Sequence, residues 1–199
     1  KKIDREVLLK KYFNPFLPLN KKTGEFVFRI LPADDGGSPF TEVHFHQMKV
    51  NGKWEKIYCP KNNDGDDCPI CNAEDALKST GSKEDRDLSR NYRSSKFYIV
   101  KGIDRDKPED GVKFWRFKQN YKQQGIFDKI IPIFGKRGDI TDIVNGCDLT
   151  ITVGRDDKNN SVVTSIIPEL PGKLSEDRDE MNEWTSDETT WKDIFKSKG

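Results

Sequence analysis

Histidine is scarce in this 199-residue chain, at two residues, and cysteine is limited to four. No run of about 18 apolar residues occurs, so a hydrophobic membrane-spanning helix is not expected. The opening KKIDREVLLKKY lacks the continuous apolar core of a secretory signal, and a cytoplasmic protein with no membrane partner is expected. An excess of one charge sign is missing too: 35 Lys and Arg offset 34 Asp and Glu, for a net +1. Spread evenly, that balance argues against a polyanion partner. Hydrophobic residues make up 33% and charged ones 35%, yet 4 Trp, 5 Tyr and 12 Phe supply large surfaces for a core, so the chain should fold. Its length suits one substantial core with an attached subdomain, and a free-standing multidomain enzyme is not expected. Residue 1 is lysine rather than methionine, so trimmed termini are expected.

Both histidines and three of the cysteines fall in HFHQMKVNGKWEKIYCPKNNDGDDCPIC, residues 44–71. Within it, TEVHFHQMKV and KWEKIYC flank Asn51-Gly52, a strong hairpin signal because a type I′ turn needs positive φ at both central residues. With 51 and 52 at the turn, facing residue numbers sum to 103. His44 then lies opposite Cys59, and His46 lies diagonally across on the same face. Taken from His46, the spacing is His-x12-Cys-x8-Cys-x2-Cys through Cys59, Cys68 and Cys71. The closing Cys-x2-Cys brings two thiolates to one tetrahedral ion, and a mixed His/Cys set suits Zn²⁺. Counting leaves His44 and His46 level as the fourth ligand.

Competing readings of this stretch fail on chemistry. A disulfide between Cys68 and Cys71 needs an oxidising compartment that nothing in the sequence implies. A thioredoxin-like pair sits between the strand and helix of a βαβ unit, whereas this one follows the polar loop PKNNDGDD. An EF-hand counted back from Gly65 would put Pro60 at the first ligand position and Cys71 at the twelfth. A zinc deaminase needs H-x-E and P-C-x-x-C, but Met48 and His46 follow the histidines by two and Asp67 precedes Cys68. Four protein ligands leave no position for water, so one structural Zn²⁺ per chain is expected and the protein is not expected to be an enzyme. Cys147 lies apart and reads as a buried free thiol.

The neutral total hides a local bias. From Arg86 to Lys101 five bases face one acid, and from Lys113 to Lys122 four bases face none, whereas Leu174 to Gly199 holds eight acids and four bases. In the basic zone, cations alternate with rings: Arg90, Tyr92, Arg93, Lys96, Phe97, Tyr98 and Lys101, then Phe114, Trp115, Arg116, Phe117, Lys118, Tyr121 and Lys122. A groove for single-stranded nucleic acid needs this mixture, cations along the phosphates and rings under unpaired bases. Alternation along FWRFK sends Phe114, Arg116 and Lys118 to one face and Trp115 and Phe117 to the other, so about half of the aromatics should be core.

Strand patterns occur at EFVFRILP, ending at Pro32, in the hairpin, at SSKFYIVKGI and GVKFWRFKQ, and in the pair DLTITVG and SVVTSII around RDDKNN. Helical patterns occur at NAEDALKST, stopped by Gly81, at about Tyr121 to Ile131, and in two short C-terminal segments, DEMNEW and TTWKDIFK. The expected fold is mainly β with α (α+β), an OB-fold-like five-stranded barrel carrying an inserted zinc-binding subdomain. The expected division is an N-terminal arm at 1–15, a core at 16–170 with the zinc subdomain at about 44–80, and a C-terminal helical segment at 171–199.

Val27-Phe28-Arg29-Ile30-Leu31-Pro32, Asn51-Gly52-Lys53-Trp54, Asp67-Cys68-Pro69-Ile70-Cys71, Trp115-Arg116-Phe117 and Phe127-Asp128-Lys129-Ile130 follow one another as in a known family. Over about Phe16 to Ile131 the chain resembles the helix-destabilising single-stranded DNA-binding proteins of T-even-like bacteriophages. That resemblance implies non-specific single-strand binding in DNA replication, recombination and repair, in the cytoplasm of an infected bacterial host. It places the histidine ligand at His46, beside Cys59, Cys68 and Cys71. It also puts Arg29, the Arg90 to Lys101 stretch, Trp115, Arg116 and Lys118 in segments that contribute to the DNA cleft. The middle cysteine gap of eight residues is one shorter than the family's best-known pattern, a difference the polar loop absorbs. Together with the residue pattern, the candidate contacts are Arg29, Lys53, Trp54, Arg90, Tyr92, Arg93, Lys96, Tyr98, Lys101, Trp115, Arg116, Lys118, Tyr121 and Lys122. Self-association along DNA and contacts with replication and recombination proteins are implied through family termini that this sequence does not show: a Lys/Arg-rich arm motif that KKIDREVLLKKY does not reproduce, and an acidic tail that is absent after Lys198-Gly199. Single-stranded RNA is an alternative ligand, since phosphate contacts and stacking do not by themselves tell ribose from deoxyribose. A zinc-dependent nucleic-acid hydrolase would need an open metal position or a carboxylate cluster, and the acids of RDDKNN and DRDKPED read better as solvated turns.

Overall fold

A computed structural model describes residues 5–122 and 124–196. The ends of the expected N-terminal arm and C-terminal segment, residues 1–4 and 197–199, lie outside the described residues.

The chain alternates strands and helices from α1 (Arg5–Lys10) and β1 (Tyr12–Phe13) to β2 (Gly24–Ile30), then the hairpin β3 (Thr41–Val50) and β4 (Lys53–Tyr58). Three helices follow, α2 (Pro60–Asp64), α3 (Pro69–Ser79) and α4 (Lys83–Ser89), before β5 (Ser94–Asp104) and β6 (Val112–Lys118). Helix α5 (Ile126–Arg137), the pair β7 (Leu149–Arg155) and β8 (Ser161–Pro168), and helices α6 (Arg178–Thr185) and α7 (Trp191–Phe195) complete it. The α+β class holds. The sheet has eight strands, ordered β1-β6-β5-β2-β7-β8, with β3 and β4 branching from β5. Five of them, β6-β5-β2-β7-β8, form a continuous antiparallel path. The segment between β1 and β2 ties to the other end of this path: Leu17 N–H donates to Ser161 Oγ of β8 at 3.1 Å, and Arg155 Nη2 of β7 donates to the Pro18 carbonyl at 2.7 Å.

Aromatic rings fill the core on one side of this sheet. The rings of Phe13 and Phe28 stack at 4.4 Å, and Trp115 meets Phe13 edge-on at 5.4 Å, inside a core completed by Val100, Leu149, Ile151 and the α5 residues Ile130 and Ile133. Strands β2 and β5 approach closely only because residue 102 is glycine: a Cβ there would stand 2.3 Å from the Arg29 carbonyl oxygen. The hairpin turn is as expected, with Asn51 at φ 50° and Gly52 at φ 79°, and Phe45 faces Tyr58 in the register that sums to 103. A second core on the other face of β3, β5 and β6 includes Val43, Phe45, Phe97, Ile99 and Phe114. The C-terminal segment covers it, contributing Leu174, Trp184, Ile194 and Phe195.

Several elements differ from the sequence reading: α1, β1, α2 and α4 were not expected, and α3 begins at Pro69 rather than Asn72. The helix expected from Tyr121 begins at Ile126, because the Asp128 carboxylate accepts the Gly125 N–H at 3.0 Å and caps the helix there. Residues 121 and 122 instead form a turn held by Asn120, whose Oδ1 accepts the Lys122 N–H at 2.9 Å. The helix then runs past Ile131 through Pro132, its Ile130 and Ile133 face buried, to Gly138 at φ 76°. Strand β2 ends at Ile30 rather than Pro32, although Leu31 N–H still bonds the Lys101 carbonyl at 2.9 Å.

Candidate functional site

The metal candidates are positioned by two helix starts. Cys59 and Cys68 each hold an extended backbone immediately before a helix whose first residue is proline, Pro60 in α2 and Pro69 in α3. Proline at that position loses no helical hydrogen bond, so each thiol is fixed at a chain reversal. Cys71 follows within α3, and His46 projects from β3. His46 Nε2 lies 3.4 Å from Cys68 Sγ and 3.7 Å from Cys71 Sγ, and Cys59 Sγ lies 3.5 Å from Cys71 Sγ. The four donor atoms fall within 4.8 Å of one another, and all four residues are buried. A tetrahedron with Zn–S near 2.3 Å and Zn–N near 2.0 Å has edges of roughly 3.5 to 3.8 Å, so the donor set fits one metal ion. Burial and the neighbouring Cys59 and Cys68 thiols push Cys71 up to about 12, a penalty on clustered thiolates that a bound cation reverses.

A distant backbone group orients His46 toward the thiols. His46 Nδ1 lies 2.7 Å from the Tyr92 carbonyl, to which it donates, leaving Nε2 with a lone pair aimed at the thiols. Burial lowers its pKa and favours the neutral ring. His44 is absent from the cluster, and its Nδ1 is buried without a hydrogen-bond partner. What His44 contributes is backbone: its carbonyl accepts the Cys59 N–H at 3.1 Å and the Asn63 amide at 2.9 Å.

The candidate nucleic-acid contacts separate into three groups. Arg29, Tyr98 and Trp115 are buried, at 1%, 4% and 2% exposure. Arg29 spans Asp148 at 3.3 Å, the Asp142 carbonyl at 2.8 Å and the Gly172 carbonyl at 3.0 Å, while Tyr98 stacks on Phe127 at 4.0 Å and donates to Gln119. These three side chains build walls rather than surface. A second group meets acids or carbonyls: Arg90 meets Asp87 at 3.1 Å, Arg93 meets Glu74 at 3.7 Å and Lys96 meets Glu42 at 3.1 Å. Lys101 donates to the Asp187 carbonyl, and Tyr92 holds His46.

The third group forms one open face. Register puts Lys56 opposite Gln47, Trp54 opposite Lys49, Arg116 opposite Ile99 and Lys118 opposite Phe97, so alternation sends Lys49, Trp54, Lys56, Arg116 and Lys118 to the same side. Lys49 and Lys56 were missed in the sequence reading, although the hairpin sum of 103 already sets them beside Trp54 and Gln47. Burial, then Arg116 and Lys118, hold the Lys56 ammonium below its ordinary pKa. The Arg116 guanidinium lies between the Phe195 ring at 4.3 Å and the Phe45 ring at 4.8 Å, and burial lowers its pKa to about 10. Lys118 Nζ donates to Gln47 Oε1 at 2.7 Å. Among the described residues, none of Lys56, Arg116 and Lys118 pairs with a carboxylate, and Arg116 and Lys118 both repel Lys56. Trp54 stands beside them at 71% exposure, with Lys49 Nζ 5.8 Å over its ring, and Lys53 is exposed at the turn. Two grooves meet at Arg116: one of about 760 Å³ that includes Lys56, and one of about 690 Å³ that includes Lys118, Tyr121 and Lys122. Unpaired cations beside exposed rings can take phosphates and stack bases.

No helix among the described residues is long and apolar enough to cross a membrane. A family model described as gp32 DNA binding protein like matches residues 22–191. No curated protein sequence matches the chain.

Proposed function

Because the chain belongs to the gp32-like family of DNA-binding proteins, we propose that it binds single-stranded DNA without sequence preference on the face carrying Lys49, Trp54, Lys56, Arg116 and Lys118. The observation that carries the reading is the Lys56, Arg116 and Lys118 cluster, cations brought together with none of them paired to a carboxylate among the described residues. Such a cluster is relieved by phosphates, and binding releases their counterions. Lys53 and Trp54 extend the face to the hairpin turn, where the exposed indole stacks on an unpaired base. Phe45 and Phe195 hold the Arg116 guanidinium in place before a strand arrives, so little ordering is needed on binding. Tyr98 and Trp115 support this face from the core on the opposite side of the sheet, and Arg29 serves packing through Asp148 and the Asp142 and Gly172 carbonyls. Arg90, Arg93 and Lys96, already next to acids, add little to phosphate binding, and Lys101 serves the C-terminal segment.

In this reading His46, Cys59, Cys68 and Cys71 hold one structural Zn²⁺. The ion, when bound, supplies a rigid tetrahedral link and no chemistry on substrate, since four protein donors leave no position for water. Its neighbours carry the consequence to the DNA face, because Cys59 directly follows β4, the strand of Lys53, Trp54 and Lys56. The role extends to replication, recombination and repair of phage DNA in the cytoplasm of an infected host, with self-association along the strand and contacts to replication proteins.

Anisotropy titrations with a labelled thymidine oligomer, the matching uridine oligomer and a duplex test the proposal. The account expects the DNA oligomer to bind tighter than the duplex by at least an order of magnitude. Equal duplex affinity would refute it, and tighter binding of the uridine oligomer would assign the face to RNA.

A further inference from the structure

Residues 187–196 pass over the outside of the sheet as a strap tied at both ends. At the first end the Asp187 carbonyl accepts a hydrogen bond from Lys101, and its carboxylate meets Lys11 at 4.0 Å. At the second, Lys196 Nζ donates to Asp64 Oδ2 at 3.3 Å and lies 4.6 Å over the Tyr58 ring, so the strap reaches α2 and the end of β4. Between the ties, α7 buries Ile194 and Phe195. The Phe195 ring meets Tyr12 edge-on at 4.9 Å and lies 4.3 Å from the Arg116 guanidinium, while the Tyr12 hydroxyl donates to the Ile194 carbonyl at 3.5 Å. The strap is nevertheless loosely seated. Helix α7 has five residues, too few to persist without tertiary contacts. Two hollows lie against the C-terminal segment, one of about 300 Å³ between Trp191 and Phe114 and one of about 350 Å³ beside Lys101 and Trp184. The end ties are partly exposed ion pairs, which are worth little in water. A segment seated over hollows and tied in this way opens at a fraction of the cost of global unfolding.

We propose that this strap is a latch closed by the bound strand: a phosphate on Arg116 holds the guanidinium against Phe195, and with it residues 187–196 against the sheet. The inference rests on the reading of the chain as a single-strand binder. It adds a second state of the protein, in which the strap is lifted, Arg116 keeps only the Phe45 ring and the strand is held less tightly. An arginine freed of one ring has to be ordered when the phosphate arrives, and that cost is subtracted from affinity. Linkage then makes the effect mutual: the factor by which a closed strap raises strand affinity is the factor by which a bound strand favours closure. Phe195 is thus a positioning residue that acts through Arg116, and its strap carries the state of the face to α2 through Asp64 and to β1 through Tyr12.

The test uses the full chain as wild type, Phe195→Leu, Phe195→Tyr, Arg116→Lys and the Phe195→Leu/Arg116→Lys double variant, with a thymidine oligomer as probe. Leucine keeps an apolar side chain in the packing and removes only the ring beside Arg116. Phe195→Leu should weaken the oligomer by about two- to tenfold, the cost of ordering one long side chain, and Phe195→Tyr should bind like wild type. In the Arg116→Lys background, Phe195→Leu should change the affinity little further, because the pair acts as one unit. Amide exchange over 187–196, read by mass spectrometry, should slow when saturating oligomer is added to wild type and stay unaltered in Arg116→Lys saturated with the same oligomer. Lys196→Ala, which breaks only the outer tie, should speed that exchange and weaken the oligomer in the same direction. Equal weakening by Phe195→Leu in both backgrounds, or strap exchange in wild type that the oligomer leaves unchanged, would overturn the latch while leaving single-strand binding intact. Failure of the wild type to bind the oligomer at all would overturn both.

Discussion

Replacing Lys56 and Lys118 together by alanine probes the cation cluster without touching Arg116, whose rings make it part of the packing. If Lys49, Lys53, Lys56, Arg116, Lys118 and Lys122 each neutralise one phosphate, log K should fall with log salt at a slope near −4, from about −0.7 per phosphate on a single strand. The double variant should lie near −3. With both lines meeting at about 1 M salt, the affinity difference at 0.1 M is roughly 25-fold. The folded protein should not suffer, because Lys56 is held against Arg116 and Lys118 and its removal relieves repulsion. The assay is an anisotropy titration at four or more salt concentrations, with thermal melts alongside. Arg90→Ala with Arg93→Ala serves as the control, since these cations already face Asp87 and Glu74 and should leave the slope close to wild type. An unchanged slope in the lysine variant, or an equal change in the arginine control, would refute the assignment of the face.

The metal centre makes two further predictions. Cys68→Ser should lose the bound metal and melt at a much lower temperature, while Cys147→Ser, a buried thiol far from the cluster, should keep a full equivalent by elemental analysis. His46→Ala should lose metal and His44→Ala should retain it, reversing only if the ring at position 44 turns into the site. Gly102→Ala should destabilise the sheet by roughly 1–3 kcal/mol in denaturant titrations, because the added methyl would meet the Arg29 carbonyl and the Phe28 ring. The Asp110 carboxyl is held below its ordinary range by its hydrogen bond to the buried Lys113 ammonium at 3.0 Å. A depressed folded pKa stabilises above the unfolded value of about 4 and is lost as pH falls. Asp110→Asn should therefore be less stable than wild type near neutrality, and denaturation curves should show that gap closing toward about pH 3.

Local rules made much of the hairpin and cluster legible. Asn51-Gly52 set the register, and counting from it put both histidines on the face that Cys59 joins. Choosing between them required Tyr92, whose carbonyl reaches His46 across 46 positions of chain, and no local pattern carries that information. Alternation along FWRFK correctly separated Arg116 and Lys118 from Trp115 and Phe117, yet Phe114 shares the Arg116 side and is still buried, because the C-terminal segment covers that part of the sheet. Arg29 misled for a similar reason: a lone arginine in an apolar strand gave no hint of Asp148 and the Gly172 carbonyl more than a hundred residues away. The start of α5 depended on a glycine whose N–H finds Asp128, and β1 is too short to show in any periodicity, its two residues set by pairing with Phe114 and Trp115.

The central claim is that a single strand lies on the face of Trp54, and its emission tests this directly. Trp54 is 71% exposed, whereas Trp115 and Trp184 are buried at 2% and 4% and Trp191 is half-buried with its ring 6.1 Å from that of Tyr58. Saturating thymidine oligomer should quench the wild-type tryptophan signal, and Trp54→Phe should keep most of the affinity while losing most of that quench. A wild-type signal unchanged at saturation, or a quench that survives intact in Trp54→Phe, would place the strand elsewhere and contradict the account.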